Sequence, residues 1–368
     1  MKIAHVVDSM EVGGVETLVS QMCRLQREKG HDPSVYVVGG LGPLGEKLRS
    51  DGFVVRPHMA RHLTDGTRSF FRAFKESRPN VVHLHNPTPT VYAALAARMA
   101  GVASVVSTRH SLASPPRRLA VELRYAAAAT CCDWIVGVCD ATTNNLKANH
   151  TIPLGKVVRI YNGTVPLQRV SEEECPSKDG FTLVYVGRLA PVKNHVLLLN
   201  AFRGAHEAMP GLRLWMVGDG IERPRLEDLA ADLGVANSVT FWGQQLDVAP
   251  FFSAADAFIM SSKSEGLPIS LLQGFSLGLP AIVTDVGGMA EVVRLARAGI
   301  TVSATDPSEM AGAILRLAGS EQERKQFSTN AKASFFAHFT LQAMFDAYTN
   351  LYLNSARSHR DQRRRERN

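Results

Sequence analysis

An α/β fold with two Rossmann-like domains facing across a cleft is the architecture that the sequence predicts, and three features predict it. The chain has 368 residues, enough for two domains at about 150 residues each. Short apolar runs alternate with longer amphipathic stretches along its length, the rhythm of strand–helix–strand units with parallel sheets. That rhythm breaks once, near the middle, and then restarts.

The first half offers strands at Ile3–Val7, Ser34–Val38, Phe53–Val55, Val81–Leu84, Ser104–Ser107, Trp134–Val136 and Val157–Ile160. Amphipathic stretches lie between most of them. In Val15 to Lys29, for example, Leu18, Met22 and Leu25 fall near helical spacing and Gly30 is a stop signal. The turn cluster Asn162-Gly163-Thr164-Val165-Pro166 and the polar stretch Glu172 to Gly180 mark the boundary. The second half resumes with strands at Thr182–Val186, Arg213–Val217, Ser238–Phe241, Ala257–Met260, Ala281–Thr284 and Gly299–Val302. The predicted domains are therefore residues 1–165 and 166–340. A last helix over 341–356 is expected to pack back toward the first domain, and residues 357–368 are expected to form a disordered basic tail.

Composition excludes several classes. Hydrophobic residues are 45% and charged residues 20% of the chain, ordinary values for a globular protein. The net charge of +7 is concentrated at the end, where six Arg from Arg357 to Arg367 outnumber Asp361 and Glu366 to give +4. Such a stretch is commonly a solvated terminus; the sharper expectation is peripheral contact with an anionic membrane. No recognition motif accompanies the charge, so specific nucleic-acid binding is not expected. Five cysteines without a C-x-x-C spacing argue against a disulfide framework or a structural zinc site and fit a cytoplasmic chain. The N-terminus enters a strand pattern at once, without the apolar core of a signal peptide. No apolar run reaches the ~18 residues of a membrane span.

Three strand-to-helix junctions carry chemistry. Val12-Gly13-Gly14-Val15-Glu16 follows the first strand. Its glycines would permit φ > 0 and close approach of a ligand, and the helix start would offer N–H groups to an anion. A plain tight turn uses the same residues. Val186-Gly187-Arg188-Leu189-Ala190-Pro191-Val192-Lys193-Asn194 places two cations at the end of a strand, which suits a diphosphate but also an ordinary surface loop. Ser264-Glu265-Gly266-Leu267-Pro268-Ile269-Ser270 leads into a helix that contains Gln273 and stops at Gly278. There, Pro268 suits the first helical position. The N–H groups of Leu267, Ile269 and Ser270 could cradle phosphate oxygens. Glu265 could accept hydrogen bonds from sugar hydroxyls.

That last block, with Gly278-Leu279-Pro280 after it, resembles the donor-site signature of the family 4 glycosyltransferases, which have the GT-B fold. Gly13-Gly14-Val15-Glu16, Thr108-Arg109-His110, Asn162-Gly163, Gly187-Arg188 with Lys193-Asn194, Val217-Gly218-Asp219-Gly220 and Asp285-Val286-Gly287-Gly288 extend the likeness in order over nearly the whole chain. The resemblance implies a retaining hexosyltransferase that moves a sugar from a UDP- or GDP-type donor to a glycan, lipid-linked or small-molecule acceptor, with no obligatory cofactor or metal. Its setting would be cell-surface polysaccharide or glycolipid synthesis. Arg188 and Lys193 then correspond to the pair on the donor diphosphate, and Glu265 to the residue that holds hydroxyls of the transferred sugar. Gly13 and Gly14 correspond to the loop near the donor phosphate and acceptor. His110 corresponds to the active-site histidine, and Trp242-Gly243-Gln244 to the stretch that reads the base.

One position departs from the family pattern. The second glutamate of its E-x7-E motif is Gln273 here. Glutamine keeps an acceptor for a ribose hydroxyl but loses the charge. Two other readings stay open on sequence: a nucleotide-sugar epimerase, distinguished by donor isomerisation without an acceptor, and a non-catalytic sugar-nucleotide-binding protein, distinguished by binding without transfer. Two further features invite plainer readings. His83 and His85 share a strand face without a nearby carboxylate; they are expected to line the cleft or satisfy backbone groups. Pro115 to Ala129, with Arg117, Arg118 and Arg124, is read as a covering helix before an interfacial one. The loop Arg61 to Arg68 is an expected element of acceptor recognition.

Overall fold

The computed structural model describes residues 1–58, 62–112, 119–148 and 152–365, with side chains for all of these except 119 and 356–365. Arg117, Arg118 and Arg61 therefore lie outside the described residues. The chain divides into two compact units, Met1–Gly163 with Leu341–Asn368, and Thr164–Thr340.

Unit 1 has the strands β1 (Lys2–Val7), β2 (Asp32–Val37), β3 (Val54–Pro57), β4 (Val81–His85), β5 (Ser104–Arg109), β6 (Trp134–Gly137) and β7 (Val157–Arg159). Between them run α1 (Gly14–Glu28), α2 (Gly42–Ser50), α3 (Leu63–Ser77), α4 (Pro87–Ala100), α5 (Leu119–Ala129) and α6 (Asp140–Ala148). All strands pair in parallel in the order β3-β2-β1-β4-β5-β6-β7. A parallel sheet covered on both faces needs near-continuous apolar strands, and β4 and β5 are buried at every residue. One face packs on Phe70 and Phe74 of α3, the alanines of α4, and Tyr125, Ala126 and Ala129 of α5. The other packs on Val19 and Cys23 of α1 and Leu48 of α2. Among the described residues, α5 is thus a covering helix.

Unit 2 repeats the plan with β8 (Phe181–Val186), β9 (Leu212–Val217), β10 (Val239–Gly243), β11 (Ala257–Met260), β12 (Ala281–Thr284) and β13 (Gly299–Val302). Its helices are α7 (His195–Ala208), α8 (Arg223–Asp232), α9 (Ala249–Ala254), α10 (Ile269–Leu277), α11 (Gly287–Ala296), α12 (Pro307–Gly319) and α13 (Glu321–His338). The strand order is β10-β9-β8-β11-β12-β13, again all parallel. Each strand expected from the sequence has its counterpart. Both sheets are doubly wound, with the order reversing between β1 and β4 in one and between β8 and β11 in the other. Ligands of open α/β sheets bind beyond the carboxyl ends of the strands at such a switch point.

The last helix, α14 (Leu341–Arg365), belongs to unit 1. Tyr348 and Tyr352 are buried against the sheet and bond Thr108 and His83. The described backbone of α14 is helical to Arg365. Extending a helix that packing has already nucleated adds a hydrogen bond for each residue ordered, and Ala, Arg and Gln favour that state. Among the described residues, no helix is long and apolar enough to cross a membrane.

Candidate functional site

In unit 2 the candidate residues Arg188, Lys193 and Glu265 lie on the loops that follow β8 and β11, at the switch point. β8 ends at Val186, and Gly187 and Arg188 leave it. The short 3-10 turn Pro191–Lys193 and left-handed Asn194 (φ 55°) then turn the chain into α7. β11 ends at Met260, and Ser261 Oγ donates to the carbonyls of Lys193 (2.9 Å) and Asn194 (3.1 Å). Lys263 N–H donates to Val192 O at 2.8 Å. These bonds stitch the two loops together and fix where Lys193 projects.

Lys193 Nζ forms an ion pair with Glu265 Oε1, and the two side chains are only 17% and 14% exposed. Ser262 Oγ donates to the same carboxylate oxygen at 2.9 Å, and Thr284 Oγ1 holds the Ser262 carbonyl at 2.6 Å. Charge-assisted bonds to a half-dry carboxylate are stronger than neutral ones, so Glu265 is held firmly. Arg188 keeps its side chain exposed while its carbonyl accepts from Tyr185 OH at 3.1 Å. Burial drives the Tyr185 phenol well above its usual range; the Glu265 charge raises it further and the Arg188 charge opposes. Arg188, Lys193 and Glu265 are therefore one electrostatic cluster.

Helix α10 begins four residues after Glu265. Its first-turn N–H groups, those of Ile269 and Ser270 among them, have no acceptor within the helix, and its dipole places partial positive charge there. Pro268 is the residue before the helix, not its first position, with φ −65° and ψ 133°; an extended ψ at that point aims the chain back from Glu265 into the helix. Gly266 and Leu267 are buried, and the Gly266 carbonyl accepts from Gly288 N–H at 2.7 Å. Gln273 is half-buried inside α10, and Gly278 (φ 79°) ends it.

Trp242 and Gly243 close β10. The Trp242 ring stands edge-on to Trp215 and Phe251, with centroids 6.0 and 5.2 Å apart, so it packs in the unit while its carbonyl accepts from Gln245 Nε2 at 2.8 Å. Gly243 (φ 67°) leaves the strand, and its carbonyl accepts from Gly218 N–H.

In unit 1, Gly13 precedes α1 and Gly14 is its first residue. The expected positive φ is absent: Gly13 is extended, with φ −163° and ψ 170°. A Cβ there would meet only the Glu16 carboxylate, the far end of a flexible side chain that can shift; that carboxylate folds over the start of its own helix as an N-terminal anion should. His110 follows β5 and is buried. Its Nε2 lies 3.0 Å from His85 Nδ1. Burial lowers its pKa to about 4, so it is neutral at neutral pH. Arg109 beside it is committed to Glu122 and the Tyr125 ring.

His83 and His85 do share a face, with ring centroids 4.2 Å apart. They do not satisfy backbone groups. His83 bonds Tyr352 OH and Thr108 Oγ1, both at 2.8 Å, and His85 bonds His110 and His5. His5, His83 and His85 are close enough to hold a metal ion, but their ring nitrogens are engaged in these bonds. Sequence reasoning missed His5, Gln26, Tyr185 and Ser262. The pairing of β1 with β4 sets His5 opposite His83, and a count of histidines near the carboxyl ends of adjacent strands is the signal that would have found it.

Two family models match the chain: "Glycosyltransferase Family 4" over residues 12–166 and "Glycosyl transferases group 1" over residues 169–334. A lipopolysaccharide core biosynthesis glycosyltransferase of Rhizobium meliloti, LpsE, is 30% identical over 197 residues, 53% of this chain. For LpsE and a second relative from that organism, the match spans about half of their length, 57% and 50%. The Escherichia coli UDP-Gal:alpha-D-GlcNAc-diphosphoundecaprenol alpha-1,3-galactosyltransferase is 25% identical over 96% of this chain and 97% of its own. The crystal structure of Anabaena Alr3699/HepE in complex with UDP superimposes with a TM-score of 0.81 at 18% identity, covering 95% of this chain and 99% of that one. The likeness to that solved structure extends to the fold.

Proposed function

The chain belongs to the retaining glycosyltransferases of family 4, and from that premise we propose that it moves a hexose from a UDP-sugar to a glycan or lipid-linked acceptor in the assembly of a cell-surface polysaccharide or glycolipid. The observation that carries this reading is the Lys193–Glu265 pair at the carboxyl end of β8, beside Arg188 and the start of α10.

In this reading the donor diphosphate competes for the Lys193 ammonium and is bound by Arg188 and the first N–H groups of α10. Glu265 Oε1, relieved of the lysine, accepts hydrogen bonds from hydroxyls of the transferred sugar. As the bond from the anomeric carbon to phosphate oxygen breaks, negative charge grows on the leaving diphosphate and these preorganised cations stabilise it. The acceptor hydroxyl attacks from the same face, and its proton passes to a leaving phosphate oxygen, so the new bond keeps the anomeric configuration. Gln273 accepts from a ribose hydroxyl through a neutral carbonyl. A depression of about 440 Å³ in unit 1 is lined by both signs of charge, Arg56, Arg68 and Arg72 beside Asp65 and Glu76, and Arg56 pairs with Glu76, so it does not by itself select an anionic acceptor. The arginines of 357–367 suit anionic headgroups at a membrane surface.

The test is a panel of UDP-, GDP- and ADP-sugars scored for thermal protection and then for transfer to lipid-linked acceptors. A ligand bound only by the folded state raises its melting temperature. Protection by UDP-sugars followed by transfer with retained configuration is the expected result; no protection by any donor would refute the reading.

A further inference from the structure

A row of three imidazoles runs through unit 1 from Gln26 on α1 to His110. Gln26 Oε1 lies 2.9 Å from His5 Nε2. His5 Nδ1 lies 3.0 Å from His85 Nε2, and His85 Nδ1 lies 3.0 Å from His110 Nε2. Gln26 and His5 are fully buried, and His85 and His110 are 2% and 9% exposed.

The order of hydrogens along this row follows from its first member. A neutral imidazole carries one N–H and one lone pair, and a side-chain carbonyl oxygen only accepts. With the Gln26 amide oriented so that Oε1 faces His5, this oxygen requires the hydrogen of His5 on Nε2, which leaves a lone pair at His5 Nδ1. That lone pair takes the hydrogen of His85 Nε2, and His85 Nδ1 in turn takes the hydrogen of His110 Nε2. His110 is left with a lone pair at Nδ1. The same atom is buried and has no hydrogen-bond partner among the described residues, although a buried polar atom left unmatched is costly. Burial keeps the row neutral: it lowers His5 and His110 to about 4, and it pushes His85 well below the usual range with help from the neighbouring His83, His110 and His5. His83 packs on the row but bonds Tyr352 and Thr108, so it does not set the order.

We propose that Gln26, His5 and His85 are positioning residues that hold His110 in the tautomer with a bare Nδ1, so that this atom accepts a hydrogen bond from a hydroxyl of the bound sugar substrate. The inference rests on the transferase reading and on His110 belonging to its site. No covalent bond changes in this step; the hydroxyl keeps its hydrogen and is oriented by it. A site built to bond a hydroxyl discriminates against the analogue that lacks it, so the row is also a device for substrate choice.

The test uses the full chain labelled with 15N at histidine, with tautomers read from two-bond 15N–1H spectra and resonances assigned through single His→Gln variants. The parent should show His5, His85 and His110 all protonated at Nε2. Gln26→Glu keeps an acceptor-only oxygen and should keep that order. Gln26→Met removes the acceptor; His110 should then become a mixture of tautomers, with kcat for transfer lower by roughly tenfold. His110 protonated at Nδ1 in the parent, the order imposed by a Gln26 amide turned end for end, would overturn the proposal. So would Gln26→Met with the parental tautomer and rate, or a stoichiometric metal ion bound to His5, His83 and His85. A parent that transfers from none of the UDP-, GDP- or ADP-sugars would instead sink the transferase reading, and the spectra would still decide the row.

Discussion

The Lys193 ammonium and the Glu265 carboxylate neutralise each other at the carboxyl end of β8, each with less than a fifth of its side chain exposed. Their mutual dependence is measurable. Lys193→Ala strands a half-dry carboxylate, and breaking a buried pair from one side costs about 3 kcal/mol. In unit 2, Lys193→Ala should therefore lower the melting temperature clearly, and adding Glu265→Gln should restore much of the loss. Chemical denaturation of both single variants and the double variant forms the cycle; purely additive losses would mean that the pair contributes no coupling.

Gln273 is the position where the chain departs from the family pattern. Gln273→Glu supplies a charged acceptor to a ribose hydroxyl, and charge-assisted bonds are about twice as strong as neutral ones. UDP affinity should rise by roughly fivefold in titration calorimetry, a gain of about 1 kcal/mol. Unchanged or weaker binding would mean that the ribose is held elsewhere.

Stability should fall in mild acid. Burial lowers His5 and His110 to about 4, and it lowers His195, with the Lys193 charge as the second cause, to about 3. In the unfolded chain these groups titrate near 6.5, so between pH 6.5 and 4 the unfolded state binds more protons. The stabilisation from neutral burial is complete above pH 6.5 and is lost as pH falls toward 4. Thermal unfolding at pH 7.5 and pH 5 should show a melting temperature lower by several degrees in acid; equal values would contradict the assignment of buried neutral imidazoles.

Gly218 adopts φ 134°, and a Cβ there would overlap the Gly187 carbonyl. The two loops that leave β8 and β9 touch through backbone at this point, with Gly187 N–H on Val217 O, and Gly218 N–H ties the second loop to Gly243 O at the end of β10. Gly218→Ala combines strain with displacement of the loop that carries Arg188, at about 2 kcal/mol. A melting-temperature loss of roughly 4–8 °C is expected, together with weaker UDP binding. A variant as stable as the parent would mean that the loops separate without penalty.

The strands were legible because a sheet covered on both faces demands unbroken apolar runs, and Val81–Leu84 or Ala257–Met260 admit little else. Helix ends were legible where glycine marks them, as at Gly30 and Gly278. The side-chain network was not. Nothing along the chain says that Glu265 turns back 72 residues to Lys193, or that Gln26 on the first helix ends a row of histidines from β1, β4 and the residue after β5. Such contacts follow from strand order, and period-two patterning fixes only the face. The Gly13 conformation escaped for a related reason: its closeness to the Glu16 carboxylate appears only once the helix exists.

Calorimetric titration of UDP into the parent and into Lys193→Ala tests the central claim most directly. The parent should bind UDP, and the variant, having lost a cation and gained an unopposed Glu265 charge, should bind at least tenfold more weakly while its circular dichroism stays unchanged. Equal affinity in a folded variant would show that the diphosphate does not meet Lys193.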